Sequence, residues 1–311
     1  MEALVYICRA CGQKNRIAGP MRREGLYKCG ACGAELLRRR SNHRRLLILA
    51  SRGLSVFSKL FGSDVFKAAA RGEVDSVRSF LESGVPVNGR DRGGWPALRH
   101  AVSKGHLGLA AYLLSVGADV NLPDKGGLTP LFSVPKGNLP IASLLLMKGA
   151  SINITTTHGF TPLMLALEQG DEAFAQLLII KGANLNVQEK LAGGSALLTA
   201  VRNGLTRTVV LMLTKHANPN VRANTGFTPL MAATHRKDHE LIRFLIAFGA
   251  NPHAVDELGS TALTHAEVKK DYETASLLRA QMGEKDKRYL AEKALEHVSH
   301  ILDILKPVLG V

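Results

Sequence analysis

One pattern returns every 32 to 34 residues between Asp91 and about Arg279, and this period constrains the fold more than any other feature of the chain. Segments opening DRGGWPALRHAVSKG, DKGGLTPLFSVPKGN, THGFTPLMLALEQGD, GGSALLTAVRNGL, NTGFTPLMAATHRKD and ELGSTALTHAEVKKD follow in order, most of them leading into LLxxGAxxN or a close relative. Aligned on the Thr-Pro-Leu block, Thr129, Thr161, Ser195, Thr228 and Thr261 stand 32, 34, 33 and 33 residues apart.

The chemistry inside one period is that of a helical pair. Thr-Pro begins a helix, with proline in the first turn, where its missing N–H costs nothing. A short apolar stretch such as Leu163–Glu168 reads as the first helix, ending near Gly170. Phe174, Leu177, Leu178 and Ile180 mark the apolar face of a second, which Gly182 stops in a left-handed turn. Asn121, Asn153, Asn186 and Asn220 suit the turn to the next unit. One such pair cannot bury its own apolar side, so neighbours must stack into a solenoid.

The period and its internal order resemble the ankyrin repeat. Asp64–Arg90 fits a first repeat without its Thr-Pro opening, which makes about seven units over 64–281. Departures from the pattern are local. His216 replaces the left-handed glycine found at Gly117, Gly149, Gly182 and Gly249, and Lys237 and Lys270 replace the glycine between helices. Pro135 interrupts the first helix of a repeat that is one residue short, and Leu191–Gly194 holds one residue too many. The resemblance implies protein binding on a concave strip made of hairpin tips and first helices. Carried onto this chain, the strip holds Trp95, Leu128, Phe160 and Phe227, with Arg92, Lys125, His158, Arg202 and Arg236 beside them. Repeated apolar anchors within a basic rim suit a partner that is acidic around apolar contacts. Packing against the next hairpin is the competing role for each anchor.

Charge is concentrated at the amino end. Residues 1–63 carry thirteen Lys and Arg against three Glu, a net +10 of the chain's +14. All four cysteines lie here, as Cys8-Arg-Ala-Cys11 and Cys29-Gly-Ala-Cys32. Four thiolates at this spacing close around one tetrahedral, structural zinc, with 12–28 long enough for a short hairpin between the pairs. A redox pair at Cys29 and Cys32 is the alternative. The strings CRACGQKNRI and YKCGACGAEL resemble the zinc ribbon at the amino end of certain bacterial thioredoxins, which implies a small β ribbon over 1–37. The thioredoxin domain is absent, so its activity does not carry over.

Residues 38–63 read as a basic amphipathic linker. Arg38, Arg39, Arg40, Arg44 and Arg45 precede Leu46, Leu47, Leu49, Leu54, Phe57, Leu60 and Phe61. Such a stretch suits a solvated linker, nucleic-acid phosphates or an anionic membrane surface. At the other end, residues 284–306 read as one amphipathic helix ended by Pro307, covering the last repeat or, alternatively, serving as a dimer seam or a partner-docking helix. A run of about 18 apolar residues is missing and so is an amino-terminal apolar segment, so neither a spanning helix nor a signal peptide is expected. The eleven histidines occupy different repeat positions without a recurrent nucleophile or carboxylate, and the chain reads as no enzyme.

The expectation is therefore a mainly α, cytoplasmic bacterial adaptor with one zinc ion and a protein partner. The alternatives are a nucleic-acid-associated protein, a thiol redox sensor, and an effector secreted by a dedicated route.

Overall fold

The computed structural model describes the backbone of residues 4–7, 14–17, 27–28 and 35–37, the whole of 64–280, and residues 299, 303 and 305–307. The chain divides into two units, Met1–Phe61 and Gly62–Val311.

The first unit holds two antiparallel hairpins. β1 (Leu4–Ile7) pairs with β2 (Lys14–Ile17), placing Ile7 opposite Lys14. β3 (Tyr27–Lys28) pairs with β4 (Glu35–Leu37), placing Lys28 opposite Glu35. Each cysteine pair thus falls, in sequence, between the strands of its own hairpin, and not on either side of one hairpin over 12–28. Cys8, Cys11, Cys29 and Cys32 themselves, and the basic segment 38–63, lie outside the described residues.

The described residues of the second unit include a row of seven helical pairs, numbered here as repeats 1 to 7. They are 64–71 with Val74–Glu82, Ala97–Ser103 with Leu107–Ser115, Pro130–Ser133 with Leu139–Met147, and Pro162–Glu168 with Glu172–Ile180. Ala196–Arg202 with Thr206–Thr214, Pro229–Arg236 with His239–Ala247, and Ala262–Val268 with Tyr272–Ala280 complete it. The starts are capped as the sequence dictates. The hydroxyls of Thr161, Ser195, Thr228 and Thr261 accept the N–H groups of Met164, Leu198, Met231 and Thr264. Asn138, Asp171, Asp238 and Asp271 cap second helices in the same way, each cap contributing about 1 kcal/mol.

Stacking buries one side of every pair. The leucine of the Thr-Pro-Leu position is buried in repeats 2 to 6 (Leu98, Leu131, Leu163, Leu197, Leu230) and half-buried in repeat 7 (Leu263), and Leu113, Leu145, Leu178, Met212 and Leu245 on the second helices are buried. These join one apolar cluster running from Val65 to Leu278, to which Leu305 also belongs. In the carboxy-terminal stretch, residues 299, 303 and 305–307 are helical, Pro307 among them.

The departures have visible consequences. His216, Lys237 and Lys270 adopt φ of 65°, 55° and 54°, the left-handed region their glycine counterparts occupy. Repeat 3 has a 3-10 helix, Pro130–Ser133, in place of an α-helix, and Val134 is extended. The shortened repeat must span the same width with one residue fewer, and 3-10 and extended backbone rise further per residue than α-helix does. Strain at the left-handed positions is removable. His216→Gly is expected to stabilise the array by up to about 1 kcal/mol, read as a higher thermal midpoint by circular dichroism.

Candidate partner-binding strip

The hairpin tips between repeats are built on one recurring bond. The N–H groups of Asp91, Asp124, Thr156, Ala223 and Asp256 donate to the carbonyls of Trp95, Leu128, Phe160, Phe227 and Ser260, four residues on. The side chain at the anchor position then folds inward and takes up the free N–H groups of the turn. Asp124 Oδ1 accepts Gly126 and Leu128 at 2.7 and 2.9 Å, and Asp256 Oδ1 accepts Leu258 and Ser260 at 2.9 and 2.8 Å. Thr156 does the same for Phe160 with its hydroxyl.

Repeat 5 shows how the extra residue is absorbed. Its anchor is Glu189, whose N–H reaches Gly194, five residues on, at 2.9 Å. The longer side chain reaches into the larger loop and accepts Leu191, Ala192 and Gly194 at 2.6, 2.9 and 2.7 Å. Burial would raise the Glu189 pKa, but these three donors outweigh it and hold the carboxyl below its ordinary value. Asp124 is lowered likewise: burial opposes, and Leu128, Arg99 and Gly126 prevail.

Adjacent tips are tied to each other. Backbone N–H groups of Thr157, Lys190, Asn224 and Glu257 donate to Gly126, His158, Ala192 and Thr225 on the preceding tip. The turn asparagines make a second ladder on the far side of the repeats: Asn121, Asn153, Asn186 and Asn220 accept the N–H groups of Ser151, Asn184, Asn218 and Asn251, one repeat onward.

Onto this frame the anchors of the strip are set. Trp95, Leu128, Phe160 and Phe227 are all half-buried. Phe160 and Phe227 pack against the core cluster. The Trp95 indole lies under the Arg99 guanidinium at 3.8 Å and beside the His100 ring at 5.4 Å. Arg99 is buried and bonded to Asp124 and to Ser133 Oγ at 2.8 Å, so it carries the repeat 2 helix onto the next tip. Arg92, Lys125, His158, Arg202 and Arg236 are exposed. Two of these cations reach back one repeat: Lys125 Nζ donates to the Arg92 carbonyl at 3.1 Å, and Arg236 Nη1 to the Arg202 carbonyl at 3.0 Å. Lys269 reaches back in the same way to the His235 carbonyl, and Lys136 reaches forward one repeat to that of Gln169. Each keeps further N–H donors for solvent or a ligand. His158 is bonded to the neighbouring Thr157 hydroxyl at 3.3 Å.

Three histidines have carboxylate partners that the sequence reading did not find: His239, between Asp271 at 3.3 Å and Glu273 at 3.1 Å, and two at the hairpin tips. His100 Nε2 meets Asp91 Oδ2, and His265 Nε2 meets Asp256 Oδ2, both at 2.9 Å. In each case the other carboxylate oxygen is occupied by the turn. The nine-residue step from Asp91 to His100 and from Asp256 to His265 was the available signal.

The anchors make the array acid-sensitive. Asp91, Asp124, Glu189, Asp256 and Asp271 all titrate below their ordinary values. Their contribution is complete above the unfolded value of about 4 and is lost as pH falls through the folded values beneath it. These carboxylates should therefore leave the thermal midpoint unaffected above about pH 5 and lower it steeply below about pH 4. Glu189→Ala strands three turn N–H groups and should cost about 1–3 kcal/mol, whereas Glu189→Asp, too short for the larger loop, should recover only part of it. Both are read by chemical denaturation.

Comparison with known proteins agrees with this architecture. The profile for ankyrin repeats (3 copies) matches residues 117–189 and 197–288, and that for ankyrin repeats (many copies) matches 65–114. The ankyrin repeat protein YahD of Escherichia coli is 31% identical over 194 residues, covering 60% of this chain and 96% of YahD. Ankyrin repeat-containing protein P1E11.10 of Schizosaccharomyces pombe is 39% identical over 69 residues, and this chain spans only 33% of its length. The human ASB11 ankyrin repeat domain superposes with a TM-score of 0.58 at 27% identity, over 70% of this chain and 97% of that domain. The ankyrin repeat domain of Bcl-3 gives 0.61 at 23% identity, over 69% and 97% respectively, a likeness of fold. Among the described residues no helix is long and apolar enough to cross a membrane. The chain belongs to the ankyrin repeat family of protein-interaction modules.

Proposed function

We propose that this protein is a non-catalytic adaptor of the cytoplasm that holds a protein partner along the strip of hairpin tips and first helices. The observation that carries this reading is the recurrence, at one repeat position, of half-buried Trp95, Leu128, Phe160 and Phe227 among exposed Arg92, Lys125, Arg202 and Arg236. A partner with apolar side chains set in an acidic surround complements that arrangement. Preorganisation favours it too. Trp95 is held by Arg99 and His100, and Phe227 by His235 and His265, so little side-chain freedom is left to lose on binding.

In this reading the amino-terminal unit is a zinc ribbon, with Cys8, Cys11, Cys29 and Cys32 around one structural Zn2+. Its support is the position of each pair between the strands of a short antiparallel hairpin. Four thiolates fill a tetrahedral shell and leave no open position for catalysis. Strands this short have little core of their own, so the metal would supply folding energy.

A second reading rests on the net +10 of residues 1–63, which suits nucleic-acid phosphates, with Arg38, Arg39, Arg40, Arg44 and Arg45 as contacts. One experiment separates the two. The tagged chain is recovered from its own cells with and without nuclease, beside a Trp95→Ala, Phe160→Ala, Phe227→Ala variant. A specific protein that survives nuclease and is lost from the triple variant is the expected result. Retention that collapses with nuclease and ignores the variant places the function at the basic amino end.

A further inference from the structure

Repeats 6 and 7 bring two imidazoles together on the strip. His235 Nε2 lies 3.1 Å from His265 Nδ1. The ring centroids are 4.7 Å apart with planes inclined at 68°, closer than a collinear contact would leave them. Phe227 stands edge-on to each ring, at 5.2 and 5.9 Å, and fixes their planes.

We propose that His235 and His265 form a two-nitrogen chelate for a divalent transition metal of the zinc, nickel or copper class. Metal–imidazole bonds of about 2.0–2.1 Å, meeting at angles between square-planar and tetrahedral, hold their nitrogens roughly 2.9–3.3 Å apart. The observed 3.1 Å falls within that range.

The proton positions fit. His265 Nε2 is 2.9 Å from Asp256 Oδ2, and an ionised carboxylate only accepts, so that nitrogen carries the proton and Nδ1 presents its lone pair. Asp256 stays ionised because the Ser260 N–H, the His265 ring and the Leu258 N–H all hold its pKa down. The result is the carboxylate–imidazole–metal arrangement that orients metal ligands elsewhere. His235 offers Nε2 once its proton sits on Nδ1, a change of tautomer that releases no proton. Lys269, bonded to the His235 carbonyl at 3.0 Å, is a cation beside the site and limits its affinity. His235 is exposed, so the remaining coordination positions are open to water or to a docked side chain.

The test is a Zn2+ titration of the full chain followed by long-range 1H–15N spectra of the imidazoles, wild type beside variants. His235 Nε2 and His265 Nδ1 are expected to move together to the position of metal-bound nitrogen. They should saturate with one equivalent that is missing from His235→Ala and from His265→Gln and retained by His158→Ala. Asp256→Asn keeps an oxygen for the turn but presents an N–H to His265, and should weaken binding about 10–100-fold. Ring signals that stay in place, or an unchanged number of equivalents in both histidine variants, overturn the site. If circular dichroism shows that His265→Gln unfolds repeat 7, the exposed His235→Ala decides alone.

Discussion

A helical pair of some thirty residues has more apolar surface on one side than it can cover by itself, and in this chain every pair solves the problem by lying on the next. The leucines of the Thr-Pro-Leu block and of the second helices are buried because of that contact. Their period therefore sets the period of everything else. Hydrogen bonds between repeats join residues about one period apart, through asparagines on one side and lysine or arginine on the other. Stability in such an array is close to a sum of units and neighbour interfaces.

The same frame determines what the strip can present. A backbone bond closes each tip, joined at Asp91, Asp124, Thr156, Glu189 and Asp256 by a side-chain acceptor turned inward, and it leaves the following aromatic or aliphatic side chain at the edge between core and solvent. Half-burial is thus a consequence of the turn: Trp95, Phe160 and Phe227 serve packing with one face and are available with the other. The exposed cations are likewise shared, since one N–H of Lys125 or Arg236 steadies the neighbouring repeat while the charge remains outside.

Much of this was legible in the sequence, because periodicity records burial directly. The helical pairs, the left-handed positions at His216, Lys237 and Lys270, the interruption at Pro135 and the extra residue before Ser195 were all readable from alignment of the chain with itself. What was not legible involves bonds between side chains of different character at the same repeat position. Asp91, Asp124, Thr156, Glu189 and Asp256 do one job with three kinds of acceptor, so no single letter recurs. Arg99 reaching Asp124, and His235 reaching His265, depend on the stagger of one repeat against the next, which spacing alone does not give. In the first unit the strands pair around each cysteine couple, a register that the count of residues between couples did not reveal.

Repeat 3 carries the irregular 3-10 turn, and with it a break in the uniformity of the array. Thr129 cannot cap an α-helix that is not there, and its hydroxyl is buried without a partner. Ser143 Oγ, on the second helix of the same repeat, is in the same state, and among the described residues these are the two such atoms. A buried hydroxyl left unpaired costs about 1–3 kcal/mol. In a linear chain of coupled units, cooperativity is limited by its weakest member, and here that member stands third of seven. Two repeats stand on one side of it and four on the other, so opening is expected to begin between two blocks and not at an end of the array.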